Sequence, residues 1–359
     1  MTSRRLFLQS LALGALAPVG LHAQPRGRTS MYLAFTSFAV RMLQGRDIMK
    51  TSAAALNSQT FLELCRSFGA SGAQIDFSQV PVEDPSALAA IRSAYERAGV
   101  EVEVSIPSRY LETPDAFAEA ASLASALGAK RARVALLSGR RYESFDSRAA
   151  WDAFASKWRD TLPRMRADFN RHKLPIGIEN HKDWLAPELI TLLKSIDSPF
   201  VGACVDFGNN IALLEDPDET MELLTPYAVT THLKDMAIRR TELGFELSEV
   251  PLGQGFLPLE RYVNALGRTK PAVPFCLEMI TRDPLVVPYK SDKYWVGFDA
   301  SARDAARIRR FEDRVLSKQT QRPLPRTTGV TADNQVAAED ENVRASIQYA
   351  IDVLKLGAH

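Results

Sequence analysis

Apolar runs alternate with amphipathic stretches along most of this chain. The apolar runs have the length of buried strands, and the stretches between them carry apolar residues at helical spacing. The predicted strands cover residues 32–38, 73–77, 100–106, 131–137, 175–181, 200–206, 229–235 and 274–278. This alternation predicts an α/β fold, a closed (β/α)8 TIM barrel, because each strand is followed by a helical segment that would cover it.

Helices are predicted between these strands, and glycine follows several of them. The predicted helices cover residues 61–69, 85–98, 114–127, 147–172, 187–195, 218–224 and 259–266. Gly69, Gly99, Gly128 and Gly267 are each expected to adopt the left-handed conformation that ends a helix. An open doubly wound sheet is the alternative, but the segment Phe38-Ala39-Val40-Arg41-Met42 lacks the glycine-rich turn of that fold.

The pattern loosens after the last predicted strand. Residues 304–317 form a charged helical pattern, residues 321–335 form a linker or surface loop, and residues 337–356 form a last amphipathic helix. We therefore expect a barrel over residues 24–282 and a C-terminal helical extension over residues 283–359. The last helix is expected to pack on the barrel exterior; a lid or a contact within a homo-oligomer is the alternative.

The N-terminal residues 1–23 are predicted to be a signal peptide of the twin-arginine type. Arg4 and Arg5 precede a short apolar run over residues 11–19, and Ala23 offers a small residue for cleavage. The run is too short for a stable membrane span. An ordinary secretory signal or an uncleaved anchor is the alternative. Export by the twin-arginine route would place the mature chain in the periplasm.

Composition and charge exclude several classes of partner. The chain is 46% hydrophobic and 24% charged, with a formal net charge of +1, as in an ordinary soluble globular protein. Without a basic excess there is no electrostatic case for binding nucleic acid or an anionic membrane. Cys65, Cys204 and Cys276 lack metal-type spacing and are expected to be structural.

Four predicted strands end on residues that commonly bind metal ions. These residues are Glu179, Asp206, His232 and Glu278. In a closed barrel they would meet at the C-terminal face, which is where active sites of such barrels lie. Oxygen and nitrogen ligands suit one divalent metal ion. Mn²⁺ is the expected ion, with Mg²⁺, Co²⁺ or Zn²⁺ as alternatives.

The two glutamates would approach such an ion from opposite sides, because they end the fifth and eighth strands. Each carboxylate then keeps one oxygen that can take or give a proton. Glu179 and Glu278 are therefore predicted to be the catalytic pair in proton transfer next to a carbonyl, through a metal-stabilised enediolate. The outcome is epimerisation, isomerisation or elimination.

Several motifs resemble those of one family. They are Gly177-Ile178-Glu179-Asn180-His181, Val205-Asp206-Phe207-Gly208-Asn209, Thr231-His232-Leu233-Lys234-Asp235, Pro251-Leu252-Gly253-Gln254-Gly255 and Phe275-Cys276-Leu277-Glu278. Their order is similar to that in the xylose-isomerase-like TIM-barrel family of sugar isomerases and epimerases. The resemblance implies that Glu179, Asp206, His232 and Glu278 bind one divalent ion and that the two glutamates are the acid/base pair.

Four further residues are predicted to contact the substrate. His181 would contact it or orient Glu179, with loop capping as the alternative, and Lys234 would neutralise an oxyanion. Trp184 would stack on a sugar ring, unless it only packs. Asn209 stands where ketose 3-epimerases usually carry a histidine, which argues against a simple ketose 3-epimerase. Lone arginines such as Arg282 are expected to be solvated.

These observations favour a metal-dependent sugar isomerase or epimerase that acts on a non-phosphorylated sugar or keto-sugar, a small-molecule substrate. The alternative enzyme is a lyase or dehydratase acting by β-elimination on keto-glycosides or inososes. A non-catalytic sugar-binding barrel and a phosphodiesterase similar to endonuclease IV are less favoured. The latter needs a histidine-rich site, and the chain has only five histidines.

Overall fold

The computed structural model describes residues 30–44 and 51–357. The predicted signal peptide lies outside these residues and stays a prediction. The strands are β1 (Met31–Ala34), β2 (Gly72–Asp76), β3 (Glu101–Ser105), β4 (Arg131–Val134), β5 (Ile176–Glu179), β6 (Val201–Asp206), β7 (Ala228–His232), β8 (Asp235–Arg240), β9 (Phe245–Val250), β10 (Phe275–Leu277) and β11 (Leu285–Val287).

The helices surround the strands, and short 3₁₀ turns lie between them. The α-helices are α1 (Ala39–Gln44), α2 (Ser58–Phe68), α3 (Pro85–Ala98), α4 (Pro114–Ala126), α5 (Arg141–Ser144), α6 (Arg148–Arg164), α7 (Arg166–His172), α8 (Ala186–Ile196), α9 (Pro217–Leu224), α10 (Leu259–Thr269), α11 (Asp292–Trp295), α12 (Ala305–Arg314) and α13 (Ala332–Asp352). None of the helices in the described part of the chain is long and apolar enough to cross a membrane.

Eight parallel strands form the barrel, in the order β10-β1-β2-β3-β4-β5-β6-β7. A parallel bridge between Leu233 and Leu277 joins the two ends. There the Leu233 amide donates to the Cys276 carbonyl at 2.7 Å, and the Glu278 amide donates to the Leu233 carbonyl at 3.0 Å. The predicted (β/α)8 barrel is confirmed. Its closure brings the C-terminal ends of β5, β6, β7 and β10 to one face.

Local signals explain most of the helix boundaries. α2 begins after Asn57, whose side chain accepts hydrogen bonds from the first turn, and it ends at Gly69 with φ 72°. Gly99 and Gly128 have φ of 67° and 71°, as expected for helix ends. Gly267 was wrongly expected to end a helix. It lies inside α10, which continues to Thr269.

The long helix expected over residues 147–172 is two helices. α6 ends at Arg164 and α7 begins at Arg166, with Met165 between them at φ −85° and ψ 3°. Pro163 lies in the last turn of α6 and has no amide hydrogen for the helical ladder. The Met165 amide instead bonds the Leu162 carbonyl at 3.2 Å. The apolar periodicity runs through this break and so concealed it.

A second, three-stranded sheet follows β7, and the sequence pattern did not reveal it. β8 and β9 form an antiparallel hairpin, and β11 pairs with β9. The seventh barrel strand therefore ends at His232, not at residue 235, and a new strand begins at Asp235. This small sheet stands next to the C-terminal face of the barrel and supplies Glu249 to it.

The last helix, α13, contacts loops at the same end of the barrel. Its Glu339 carboxylate accepts from the Val40 amide at 2.7 Å and from the Arg41 guanidinium at 2.8 Å. Asn342 donates to Thr281 at 2.9 Å, and Ser346 accepts from the Leu252 amide at 3.2 Å. α13 therefore ties together the loops after β1, β9 and β10. The domain boundaries at residues 23 and 282 stay predictions.

Replacing Glu339 with alanine tests how much the contacts of α13 with these loops stabilise the fold. Glu339 is fully buried and paired with Arg41, whose side chain is 10% exposed. Removing one partner of a buried pair typically lowers the free energy of unfolding by about 3–5 kcal/mol. We expect that loss in urea unfolding of Glu339→Ala, and almost none for Glu341→Ala, an exposed position of the same helix. Equal losses of unfolding free energy in the two variants would contradict a stabilising role of the Glu339 contacts.

Candidate metal centre and active site

Four side chains from different strand ends converge at the C-terminal face of the barrel. They are Glu179, Asp206, His232 and Glu278, and their potential ligand atoms all lie within 4.8 Å of one another. His232 Nδ1 is 3.3 Å from an oxygen of Glu179, 3.3 Å from one of Glu278 and 3.8 Å from one of Asp206. All four side chains are buried. The set has the composition and spacing of a site for one divalent ion.

One unsatisfied atom supports the fit of this cluster to a metal ion. His232 Nδ1 is buried and has no hydrogen-bond partner among the described residues, which is unusual for a polar atom in a folded protein. Asp206 Oδ2 has only charged neighbours there, with the Lys234 ammonium at 2.8 Å. His232 Nε2 donates to Gln74 Oε1 at 3.0 Å. Because Nε2 carries a proton in this hydrogen bond, Nδ1 is the nitrogen that faces the carboxylates and would offer its lone pair to an ion. That tautomer is the one a metal-binding histidine needs.

A buried polar chain behind His232 holds this tautomer. Gln74 of β2 donates its amide hydrogen to Glu103 of β3 at 2.7 Å, and Thr230 of β7 donates to the other oxygen of Glu103 at 2.7 Å. Burial raises the pKa of Glu103. Partners of this kind fix the orientation of a ligand and raise its basicity. The chain connects three barrel strands to one imidazole.

Glu179 is held at both of its carboxylate oxygens. Asn209 donates to Oε1 at 2.9 Å, and Arg133 of β4 is hydrogen-bonded and ion-paired to Oε2. Burial alone would raise the pKa of Glu179. The charges of Arg133 and His232 outweigh it and keep this pKa well below its usual range. Glu179 is therefore ionised, and its second oxygen is occupied by a guanidinium.

Glu278 has different neighbours. The Thr36 hydroxyl donates to Oε1 at 2.8 Å, and the Lys234 ammonium donates to Oε2 at 2.6 Å. Burial would raise the pKa of Glu278, but His232 and Lys234 keep it well below its usual range. Glu278 is 5% exposed, whereas Glu179 is 0% exposed. Of the two glutamates, Glu278 therefore reaches the mouth of the barrel.

Lys234 links the cluster to the small sheet. Its ammonium lies 2.8 Å from Asp206, 2.6 Å from Glu278 and 3.6 Å from Glu249 of β9. Arg282, which was expected to be solvated, instead pairs with Glu249 at 2.8 Å. The position of Lys234 next to two candidate ligands agrees with a role at a developing negative charge.

Asp235, next to Lys234, organises the loop with the sequence Pro251-Leu252-Gly253-Gln254-Gly255. Its carboxylate accepts from the backbone amides of Met236, Gly253, Gly255 and Leu257 at 2.9–3.1 Å. A Cβ at Gly255 would come within 2.1 Å of Asp235 Oδ1. The glycine is therefore needed for close approach, and the motif has a structural role beside the site.

His181 and Trp184 lie in the loop after β5. His181 Nδ1 donates to the Leu137 carbonyl at 2.9 Å. Burial lowers the pKa of His181 to about 3, so the ring is neutral and its Nε2 is an acceptor. Trp184 is 0% exposed and packs 5.3 Å from Trp151, measured between ring centroids. This outer-core position does not support stacking of Trp184 on a substrate.

Sequence reasoning missed several residues around the candidate ligands. They are Thr36, Gln74, Glu103, Arg133, Lys182 and Glu249. A signal existed for three of them, because Gln74, Glu103 and Arg133 are polar residues that lie between apolar neighbours within barrel strands. In a barrel strand such a residue points inward and must find a partner.

Comparison with known proteins identifies the family. The family model described as xylose isomerase-like TIM barrel matches residues 62–307. The chain therefore belongs to the xylose isomerase-like TIM barrel family, as the motifs implied.

Individual relatives include enzymes and a magnesium complex. The chain is 29% identical over 224 residues to a 3-oxo-isoapionate decarboxylase of Pectobacterium atrosepticum, covering 59% of this chain and 77% of that protein. The crystal structure of a D-psicose 3-epimerase in the presence of D-fructose has a TM-score of 0.55 and 14% identity, over 90% of this chain and 99% of the other. A xylose isomerase-like TIM barrel protein from Mycobacterium smegmatis in complex with magnesium has a TM-score of 0.53 and 14% identity, over 82% and 98%.

Gln74→Leu tests the polar chain behind His232. The variant removes the acceptor of the Nε2 proton, and loss of such a partner typically weakens metal binding by about 10- to 100-fold. We expect that loss for Mn²⁺ and for Zn²⁺ in isothermal titration calorimetry. Gln79→Leu, at a half-buried position in the 3₁₀ turn after β2, is the matched control. Wild-type affinity in a folded Gln74→Leu protein would refute the role given to Gln74.

Proposed function

We propose that this protein is a metal-dependent enzyme that moves a proton next to the carbonyl of a non-phosphorylated sugar or keto-sugar, as an isomerase or epimerase. The supporting observation is the convergence of the potential ligand atoms of Glu179, Asp206, His232 and Glu278 within 4.8 Å, where His232 Nδ1 has no hydrogen-bond partner among the described residues. These four residues would hold one divalent ion, and Mn²⁺ is our expected choice. When bound, such an ion polarises a carbonyl and stabilises negative charge on the adjacent oxygens.

Glu278 is the residue we assign to proton transfer. It is 5% exposed, against 0% for Glu179, and among the described residues its Oε1 is engaged only by the Thr36 hydroxyl. A hydroxyl can rotate away and accept as well as donate, so Oε1 is free to take a proton from a substrate carbon. Lys234, next to Glu278 Oε2, would stabilise the negative charge of an enediolate.

Glu179 would be the second member of the acid/base pair, acting from the opposite side. Its Oε2 must first part from Arg133, which cannot give up its proton. Asn209 would orient Glu179 through Oε1, and the neutral His181 would accept a hydrogen bond from a substrate hydroxyl. Two active bases give epimerisation, whereas Glu278 alone suffices to move a proton between neighbouring carbons.

A lyase is the second candidate, and the Arg133–Glu179 pair favours it. Elimination or decarboxylation next to a carbonyl needs charge stabilisation but no second base. The 3-oxo-isoapionate decarboxylase related to this chain is, by its name, an enzyme of this kind. The same four ligand candidates and the same Lys234 would serve it, so the ligands alone do not separate the two reactions.

Export and assembly complete the proposal. We propose that residues 1–23 direct the chain to the periplasm by the twin-arginine route, on the strength of the arginine pair and the apolar run. Replacement of Arg4 and Arg5 by lysine should then abolish export of a tagged chain. Formation of a homo-oligomer stays a prediction, which the mass of the protein in solution would test.

Glu278→Gln tests the proton-transfer role. The amide keeps an oxygen for a metal ion but cannot take a proton, so we expect deuterium exchange to fall by about 10²–10⁴-fold while Mn²⁺ still binds. The measurement is proton NMR in D₂O with free ketoses, keto-glucosides and inososes. Glu222→Gln, on the exposed face of α9, is the control. Full exchange by Glu278→Gln would refute the mechanism.

The same spectra separate the candidate reactions. Deuterium next to an intact carbonyl indicates an isomerase or epimerase, and release of an aglycone, water or carbon dioxide indicates a lyase. Glu179→Gln then separates one-base from two-base chemistry, because only a two-base enzyme loses epimerisation on removal of either glutamate. Metal binding without turnover of any of these substrates would favour a sugar-binding barrel.

A further inference from the structure

Lys182 is a largely buried lysine beside the candidate active site. It lies in the loop just after β5, and 5% of its surface is exposed. The charges of Lys234, Arg282, Asp206 and Glu249 all act on it, and its ammonium donates no hydrogen bond to another described residue. Among the described residues, its ammonium also forms no salt bridge. Lys182 therefore differs from the other cations of the site.

The neighbouring cations already have carboxylate partners. Lys234 pairs with Asp206 and Glu278, and Arg282 pairs with Glu249. A charge that is largely withdrawn from water and has no carboxylate partner is costly, because only part of its lost solvation is replaced. Burial, with Lys234 and Arg282, lowers the pKa of Lys182 to about 8. The ammonium form still predominates at neutral pH, so the protein keeps an unpaired positive charge at this position.

The backbone of Lys182 is held in an uncommon conformation. Its φ is 67°, in the left-handed region that residues with a Cβ rarely adopt. Asp183 Oδ1 accepts from the amides of His181 and Trp184 at 3.1 and 2.8 Å, and the Lys182 carbonyl accepts from the Arg141 amide at 2.9 Å. Asparagine or glycine would suit this turn better. Strain that the surroundings enforce in this way is concentrated at ligand sites.

The charge balance of the site points to an anionic ligand. The carboxylates around the barrel mouth are Glu179, Asp206, Glu249 and Glu278, and the cations are Arg133, Lys182, Lys234 and Arg282. With His232 neutral, as it would be when it binds an ion, these opposing charges cancel. The nearby Asp183 carboxyl, whose pKa burial raises to about 7, adds at most one negative charge. A divalent ion among the candidate ligands would leave the site with a surplus of positive charge, which a negatively charged substrate would balance.

We propose that Lys182 binds a carboxylate group of the substrate, so that the substrate is a sugar acid or a keto acid. This inference rests on the proposed function, since it assigns the substrate class of the same site. A single ammonium with Arg282 nearby suits one carboxylate. A phosphate would call for the cradle of backbone amides that a glycine-rich turn provides, and residues 178–184 contain no glycine.

The test compares two probes that differ mainly in one charged group. Gluconate and sorbitol are titrated into Mn²⁺-loaded protein by calorimetry. We expect wild type to prefer gluconate, and Lys182→Met to bind gluconate about 10- to 100-fold more weakly, the usual effect of losing a charged hydrogen bond. Sorbitol affinity should not change, and Lys182→Arg should restore part of the gluconate affinity. Lys173→Met is the matched control, because Lys173 also has a positive φ of 55° but is exposed.

Thermal unfolding without ligand separates a ligand-binding lysine from a structural one, because the two roles predict opposite changes in Tm when Lys182 is replaced. Lys182→Met should keep or raise Tm, because it removes an unpaired buried charge, whereas loss of a structural contact would lower Tm. Unchanged gluconate affinity in folded Lys182→Met would overturn the inference. So would tighter binding of glucose 6-phosphate than of gluconate. Deuterium exchange and metal binding by wild type are measured separately. Their absence would contradict the proposed function, whereas unchanged gluconate affinity contradicts only the role of Lys182.

Discussion

The burial of several carboxylates in one barrel mouth is the constraint on which the rest of the site depends. Like charges this close repel one another, and each would be protonated or disordered without compensation. Arg133 and Lys234 compensate Glu179, Asp206 and Glu278 directly. His232 lies between all three carboxylates, and burial alone would lower its pKa. The carboxylates outweigh that effect and raise the pKa to about 10. Without an ion, His232 is therefore protonated. Its positive charge balances part of the negative charge that a divalent cation would otherwise balance.

The barrel meets this constraint because it brings together strands that are far apart in sequence. Arg133 from β4 reaches Glu179 of β5, and Gln74 from β2 reaches His232 of β7. The loops are fixed by a similar use of buried charge. Asp235 accepts from several backbone amides of one loop, and Glu339 of the last helix accepts from the Val40 amide and the Arg41 guanidinium after β1. The C-terminal extension thus takes part in holding the face on which the site lies.

The sequence predicted the barrel and the candidate ligands because both have local signals. Glu179, Asp206, His232 and Glu278 each end an apolar strand, and barrel closure then places such ends together. The partners of these residues could not be paired from sequence alone, since Gln74 and His232 meet only across the closed barrel. Trp184 lies near a ligand candidate in sequence and is fully buried against Trp151, so its contact with a substrate stays a prediction. The small sheet was missed because β8 follows β7 after only two residues and extends the same apolar run.

The two glutamates that look equivalent in sequence acquire different chemistry from their neighbours. Glu179 Oε2 is paired with a guanidinium, which stays protonated and keeps that oxygen from accepting a proton. Glu278 Oε1 meets a threonine hydroxyl, which can turn and leave the oxygen free. A site with one hindered and one available carboxylate favours reactions that remove a single proton or expel a group over those that exchange protons on both faces. In the proposed function, Arg133 is therefore the residue whose position decides between epimerisation and the other outcomes, although it belongs to neither the candidate ligands nor the acid/base pair.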